Sequence, residues 1–383
     1  MLEKFDLKHD PFPIVPDGPV HNWAGRQELK LDLIDIIKGV RGRDIGITEF
    51  VVVHGEYGAG KSHALRYLKT MIAEKADEFN SLAVYVERPR VSSKLNFLEL
   101  TKYVVKVIGR ENIRTYCSAI KVQLDKIIDE LAAAAGIPDV KNRSSFYETA
   151  INQFPADDQN MIKLLARGSA DEGKGLFLFL SGAERNDGDE YEGKIDSDFV
   201  AAKVLSDLFR VLISEIRPGV RILESVYLFI DEAEILAEAK ASESELVFNG
   251  LRELINGLPY RFGLVISFSA ATALIEAIMP QHLLKRMTRP YIEIPMLNDI
   301  EAVEFLQSQI NFARTAGSQY SGDVYPFTME AIEFIVQNTT TLTPRNLFID
   351  CKRVLERSLR RFELEPGERI TEDMAEKILQ SYR

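Results

Sequence analysis

An α/β fold, a parallel sheet flanked by helices with a helical insertion and a helical C-terminal unit, is the fold class that this 383-residue sequence predicts. Three observations point to it. The apolar run Phe50 to Val53 leads into Gly55-Glu-Tyr-Gly-Ala-Gly-Lys-Ser62 and then into an amphipathic stripe at Leu65, Leu68 and Ile72. A second apolar run, Val226 to Ile230, ends in Asp231-Glu232, and from Asn298 onward the spacing of apolar residues turns helical.

The segment from Gly55 to Ser62 fits G-x-x-x-x-G-K-[ST], the phosphate-binding P-loop. Gly55, Gly58 and Gly60 let backbone N–H groups curl around a phosphate without Cβ collisions, at the positive end of the following helix. Lys61 is expected to reach the β- and γ-phosphates and the Ser62 hydroxyl to ligate Mg²⁺. The candidate nucleotide-binding residues are therefore Gly55, Glu56, Tyr57, Gly58, Ala59, Gly60, Lys61, Ser62 and His63.

Bulk properties narrow the function classes. A formal net charge of −11 argues against a surface coated for nucleic acid and leaves only local basic patches. Cys117 and Cys351 are the only cysteines, without a C-x-x-C or a neighbouring histidine, so neither a disulfide framework nor a zinc site is expected and a reducing cytosol fits. MLEKFDLKHD lacks a signal-peptide apolar region and no run approaches the ~18 apolar residues of a membrane span, which predicts a cytoplasmic chain without a membrane partner.

Taken in order, residues 1–25 carry Pro11, Pro13, Pro16 and Pro19, which exclude a continuous helix and predict an extended leader anchored by Phe5, Leu7, Phe12 and Trp23. Trp23 is either a neighbour of the adenine or a core anchor. Leu29, Leu33, Ile36, Ile37 and Val40 predict a helix ended by Gly39 and Gly42, and Leu82 to Val86 a second core strand. Helices are predicted over Leu98 to Ile108, Ile113 to Ala135, Phe146 to Phe154, Asp158 to Leu165 and Phe199 to Ile216. Leu176 to Leu180 fits a strand or a buried helical turn. Arg185 to Gly193 reads as a solvated acidic loop, because Asp187 and Asp189 lack the other ligands of a calcium-binding EF-hand loop.

In the Val226 to Glu232 strand, Asp231 would hold Mg²⁺, directly or through water, and Glu232 would orient and deprotonate a water molecule. Gly263 to Ala270 and Tyr291 to Ile294 add two further strands; of Ser267 and Ser269, Ser269 is the better placed to hold that water. His282 to Arg289 is basic and can face a neighbour. Helices follow over Ile300 to Phe312, Thr328 to Gln337, Pro344 to Arg361 and Thr371 to Tyr382, with Asp299 and Thr371 as N-caps and Arg345 projecting from a helix start. Lys352, Arg353, Arg357, Arg360 and Arg361 make that helix basic, either a solvated face or a contact to a phosphate backbone.

With the P-loop, Asp231-Glu232, the polar strand end and the helical lid in this order, the chain resembles an AAA+ ATPase. Its layout is similar to the origin-recognition and transposition ATPase group, and FDLKHDPFPIVPD resembles the F-x-L-x-x-x-P-F leader of related secretion-associated ATPases. GEYGAGKSH and FIDEAE look like the P-loop proteins of BREX-type bacteriophage-exclusion systems. The resemblance implies ATP/ADP and Mg²⁺ as cofactors, Ser269 as sensor 1, where an asparagine is commoner, and Arg345 as the sensor 2 arginine. It implies Arg286 as an arginine finger reaching the next subunit, with Arg289 close enough to compete.

The domains expected are residues 1–297 for nucleotide binding, including the leader 1–25 and a helical insertion over about 95–200, and residues 298–383 for the lid. The long separation between P-loop and Asp231 devotes the insertion to a partner protein. After the lid, no winged helix of the kind found in origin-recognition proteins is expected. The expected function is a Mg²⁺-dependent ATPase that assembles with itself into a ring or filament and acts with partners on DNA, in genome defence or mobile-element handling. The alternatives are a STAND-type signal-sensing nucleotide switch and a scaffold with a vestigial P-loop.

Overall fold

The computed structural model describes residues 2–14, 18–42, 46–136, 145–184 and 194–381. After the leader, α1 (Gln27–Arg41) precedes β1 (Glu49–His54), α2 (Lys61–Glu74), the short α3 (Ala76–Phe79) and β2 (Ser81–Val86). Next come α4 (Phe97–Ile108), α5 (Arg110–Ala134), α6 (Tyr147–Ile151), α7 (Ala156–Gly168), α8 (Lys174–Leu180) and α9 (Asp198–Ile213). β3 (Ser225–Ile230), α10 (Ile235–Glu238), α11 (Ala241–Gly257), β4 (Phe262–Phe268), α12 (Thr272–Ile278), α13 (Gln281–Leu284) and β5 (Ile292–Glu293) complete the sheet unit. α14 (Asp299–Phe312), α15 (Met329–Asn338), α16 (Pro344–Arg361) and α17 (Glu372–Gln380) form the lid.

The five strands lie in the order β2-β3-β4-β1-β5, and every pairing is parallel. Strands buried on both faces read as continuous apolar runs, which is why β1, β3 and β4 stand out in the sequence. Alternation splits their side chains: Phe50, Val52, Val226, Leu228 and Ile230 join the core under α4, α9 and α11. Val51, Val53, Tyr227 and Phe229 join α1 and α2 on the opposite face. The register pairs Val53 with Ser267, so the C-terminal ends of β1 and β4 lie side by side, with β3 next in the sheet. In open parallel sheets such an edge is where ligands bind.

Helices α4 to α8 occupy the predicted insertion, and their apolar sides share one continuous core with the sheet. α11, for which the sequence carries no prediction above, packs so closely on α4 that a Cβ at Gly250 would lie 2.0 Å from Phe97 Cγ. Leu176 to Leu180 belongs to the helix α8, not to a strand. The predicted helix at Phe146 to Phe154 is regular only from Tyr147 to Ile151. Arg185 to Gly193, with Asp187 and Asp189, lies outside the described residues, as does Pro16. Among the described residues no helix is long and apolar enough to cross a membrane.

The lid has its own core, and the leader, grouped by sequence with the nucleotide-binding unit, contributes to it through Phe5, Leu7 and Phe12. The Lys8 N–H donates to Ala313 O at 2.9 Å, Arg314 donates to Phe5 O at 2.9 Å, and Lys352 pairs with Asp10 at 2.5 Å. Farther along, the leader runs beside α2: the Val20 N–H donates to Thr70 Oγ1 at 3.2 Å and His21 meets Glu74 at 2.6 Å. The leader is therefore fastened at both ends, to the lid and to the P-loop helix. Asn298, rather than the expected Asp299, caps α14 in a reciprocal capping box with Glu301, because its side chain stands one residue before the first helical turn. Thr371 sits at the N-cap of α17 without a side-chain cap bond.

Candidate functional site

β1 delivers the chain to Gly55 at the sheet edge. Gly55 has φ +158°, and a Cβ there would lie 2.4 Å from Ile294 O; Gly58 has φ +83°, and its Cβ would lie 3.0 Å from Arg345 Cβ. Both positions need glycine, the first to pass the β5 connection and the second to let the lid approach. The buried Lys61 donates through Nζ to Gly55 O at 3.0 Å and Glu56 O at 2.8 Å. Burial lowers its pKa, opposed by Glu234, Asp231 and Glu56. The cation is thus desolvated and held over the loop, where an anion gains most from it.

His63, in the first turn of α2, reaches Asn22 O through Nε2 at 3.0 Å, and Asn22 Nδ2 donates to Gln309 Oε1 at 3.1 Å. Burial lowers the His63 pKa and keeps the ring neutral, with its proton on Nε2. Trp23 is half-buried and packs edge-on against Tyr67, with ring centroids 5.2 Å apart. Arg26 donates to Ala59 O at 2.8 Å and to Pro295 O, joining the P-loop to the start of the lid.

β3 delivers Asp231, only 2% exposed. Its Oδ2 accepts from Tyr85 Oη at 2.7 Å, and its Oδ1 accepts from the Glu232 N–H at 3.0 Å and from Ser267 Oγ. Burial, then the Asp231 charge, raises the Tyr85 pKa and keeps its hydroxyl a donor. Glu232 has φ 48°, a left-handed conformation that costs a non-glycine residue roughly 1–2 kcal/mol. The turn aims its carboxylate at Arg88, 3.1 Å away, with both side chains about half exposed. Burial raises the Glu232 pKa and Arg88 opposes it.

These groups meet in one cleft of 530 Å³ between the sheet edge, the leader and the lid. Tyr57 through His63, Asp231, Glu232, Ser269 and Arg345 all line it, and Trp23 forms part of the leader wall. Trp23 is thus a cleft residue as well as a packing anchor. Arg345 Nη1 donates to Tyr57 Oη at 2.5 Å. Ser269 meets Glu234 through its backbone N–H, at 3.0 Å, whereas Ser267 is the serine whose hydroxyl reaches Asp231.

Arg286 lies outside this cleft, exposed in the turn after α13. Arg289 is committed within the chain, at 2.9 Å from the buried Glu49 and 3.0 Å from Asp35. Of the two arginines, Arg286 is the one that points outward.

Among the described residues no cluster of three or more His, Cys, Asp or Glu side chains forms a metal cage. Magnesium on a nucleotide needs only one or two protein oxygens besides phosphates and water. The cleft residues Ser62 and Asp231 fit that requirement, since hydrogen bonds from Tyr85 and Ser267 hold the Asp231 carboxylate in one orientation.

No family model matches the chain, and no curated protein does. Solved structures do. The Aeropyrum pernix ORC1 protein in complex with DNA is 10% identical with a TM-score of 0.53, over 97% of this chain and 69% of that one. The Aeropyrum pernix ORC2 protein in ADPNP–ADP complexes is 12% identical with a TM-score of 0.52, over 98% and 71%. Drosophila ORC bound to DNA is 11% identical with a TM-score of 0.50, over 96% of this chain and 64%, under two thirds, of that one. The chain carries the AAA+ fold of these origin-recognition structures: a P-loop parallel sheet flanked by helices, with a helical insertion and a C-terminal helical lid.

Proposed function

We propose that the protein is a Mg²⁺-dependent ATPase that works as an oligomerising switch with partner proteins on DNA. The observation that carries this reading is the convergence of Lys61, Ser62, Asp231, Glu232 and Arg345 on one cleft. Lys61 and the loop N–H groups would hold the β- and γ-phosphates, and Ser62 Oγ and the Asp231 carboxylate would hold the metal. Bound there, Mg²⁺ supplies charge neutralisation at the phosphate oxygens. Glu232 takes a proton from water as its oxygen adds to the γ-phosphorus and the bond to the leaving ADP oxygen breaks. Ser269 and Arg345 flank the γ-phosphate, and Arg286 of a second copy steadies the developing charge.

DNA enters the proposal because two of the similar structures are complexes with DNA. The role in phage exclusion or mobile-element handling rests on GEYGAGKSH and FIDEAE, and that of the helices over about 95–200 as a partner surface rests on the length of the insertion.

Phosphate release measured against protein concentration, with and without duplex and single-stranded DNA, tests this. Turnover should rise more steeply than protein concentration and respond to DNA. Glu232→Gln should bind ATP and turn over at least about 100-fold more slowly, and Lys61→Ala should lose both. Tightly retained ADP with negligible turnover at every concentration would favour the signal-sensing switch instead.

A further inference from the structure

Tyr57 is an aromatic residue inside a phosphate-binding loop, yet it is 67% exposed. The Arg345 guanidinium carbon lies 4.8 Å from its ring centroid, while Nη1 donates to the phenol oxygen at 2.5 Å. The approach is built into the backbone: Thr343 caps the first turn of α16 through the Asn346 N–H at 3.3 Å, and Gly58 leaves room for Arg345 Cβ. Among the described residues, Arg345 is the only charged side chain that the lid contributes to the cleft. A charged lid side chain drawn toward bound phosphate is therefore that of Arg345.

We infer that Tyr57 docks Arg345 and thereby sets how strongly the cleft prefers a nucleoside triphosphate over a diphosphate. The inference rests on reading the cleft as a nucleotide site. A guanidinium recognises phosphate with its in-plane fork of N–H donors. In the docked state the guanidinium carbon lies over the ring and Nη1 is given to the phenol, so a fork grip on a γ-phosphate that uses Nη1 requires Arg345 to give up that bond. A docked population lowers apparent affinity in proportion to the fraction that remains competent. A diphosphate, lacking the γ-group, is not subject to this competition.

The test is direct binding of ADP and of a non-hydrolysable ATP analogue to the wild type, Tyr57→Ala and Tyr57→Phe, each also in an Arg345→Ala background. With exposed cation–π and hydrogen-bond energies of ordinary size, Tyr57→Ala should bind the analogue roughly 3- to 10-fold more tightly relative to ADP. Tyr57→Phe, keeping the ring and losing the phenol, should shift in the same direction by less, and Arg345→Ala should abolish both shifts. An equal change for both nucleotides, no change, weaker analogue binding, or a shift that persists without Arg345 overturns the inference. Failure of the wild type to bind either nucleotide overturns the reading of the cleft as well, whereas binding with an unmoved preference overturns this inference alone.

Discussion

Arg88→Ala removes the ion-pair partner of Glu232, the residue proposed to activate water. The two charges are 3.1 Å apart, and the side chains are 52% and 42% exposed. An ion pair this exposed is screened by solvent and contributes about 0.2–1 kcal/mol. If that energy must be given up before Glu232 can turn to the water, its removal accelerates hydrolysis by about 1.5- to 5-fold. The assay is steady-state phosphate release at saturating ATP and Mg²⁺ and fixed protein concentration, with Arg88→Lys as the variant that keeps the charge. Nucleotide affinity should stay as in the wild type. A fall of Arg88→Ala toward the level of Glu232→Gln would refute the reasoning, because Arg88 would then be needed for the chemistry itself.

Other outcomes follow from the same geometry. Arg289→Ala leaves the buried Glu49 without its cation and should cost about 3 kcal/mol in urea unfolding, whereas Arg286→Ala should leave stability within about 0.5 kcal/mol. Arg286→Ala should instead lose roughly 10³-fold in turnover, and mixing it with Glu232→Gln should restore activity at interfaces that combine the intact halves; no restoration would mean that Arg286 does not act between copies. Gly250→Ala drives a methyl group into Phe97 and should lower stability by about 1–3 kcal/mol in thermal or urea unfolding; an unchanged midpoint would refute that packing. Trp23, the single tryptophan, lines the cleft, so its emission should change on ADP binding and stay constant in Lys61→Ala.

The half of the site contributed by the sheet was legible because its residues stand at abrupt changes of pattern. Gly55 and Asp231 each follow an apolar run buried on both faces, and a polar residue ending such a run is placed by the sheet itself. Tyr85 and Ser267 were not legible as partners of Asp231, since both lie inside strands and only the order β2-β3-β4 brings their hydroxyls to one carboxylate. Ser269 lies one residue past the end of β4, whereas Ser267 lies within it, where the pairing of Ile266 with Ile230 sets its hydroxyl beside Asp231. α11 escaped although Val247, Leu251, Leu254 and Ile255 repeat at helical spacing. Its serines, glutamates and Gly250 dilute that signal, and the glycine is explained only by the nearness of Phe97. Leu176 to Leu180 carries no polar residue to set a period, so only its surroundings decide that it is helical. The pairing of Arg345 with Tyr57 joins residues 288 positions apart, beyond any local pattern.

The leader ties the making of the lid to the order in which the chain is synthesised. Phe5 O accepts its hydrogen bond from Arg314, 309 positions later. At a translation rate of roughly 5–20 residues per second, about 15–60 s separate the two partners. Through that interval Phe5, Leu7 and Phe12 lack the rings and aliphatic groups that finally cover them, while the sheet unit can already collapse around β1 to β4. The lid core closes only once residues 2–12 and 297–379 have all been made. The lid core therefore forms after the strands of the sheet unit have been made.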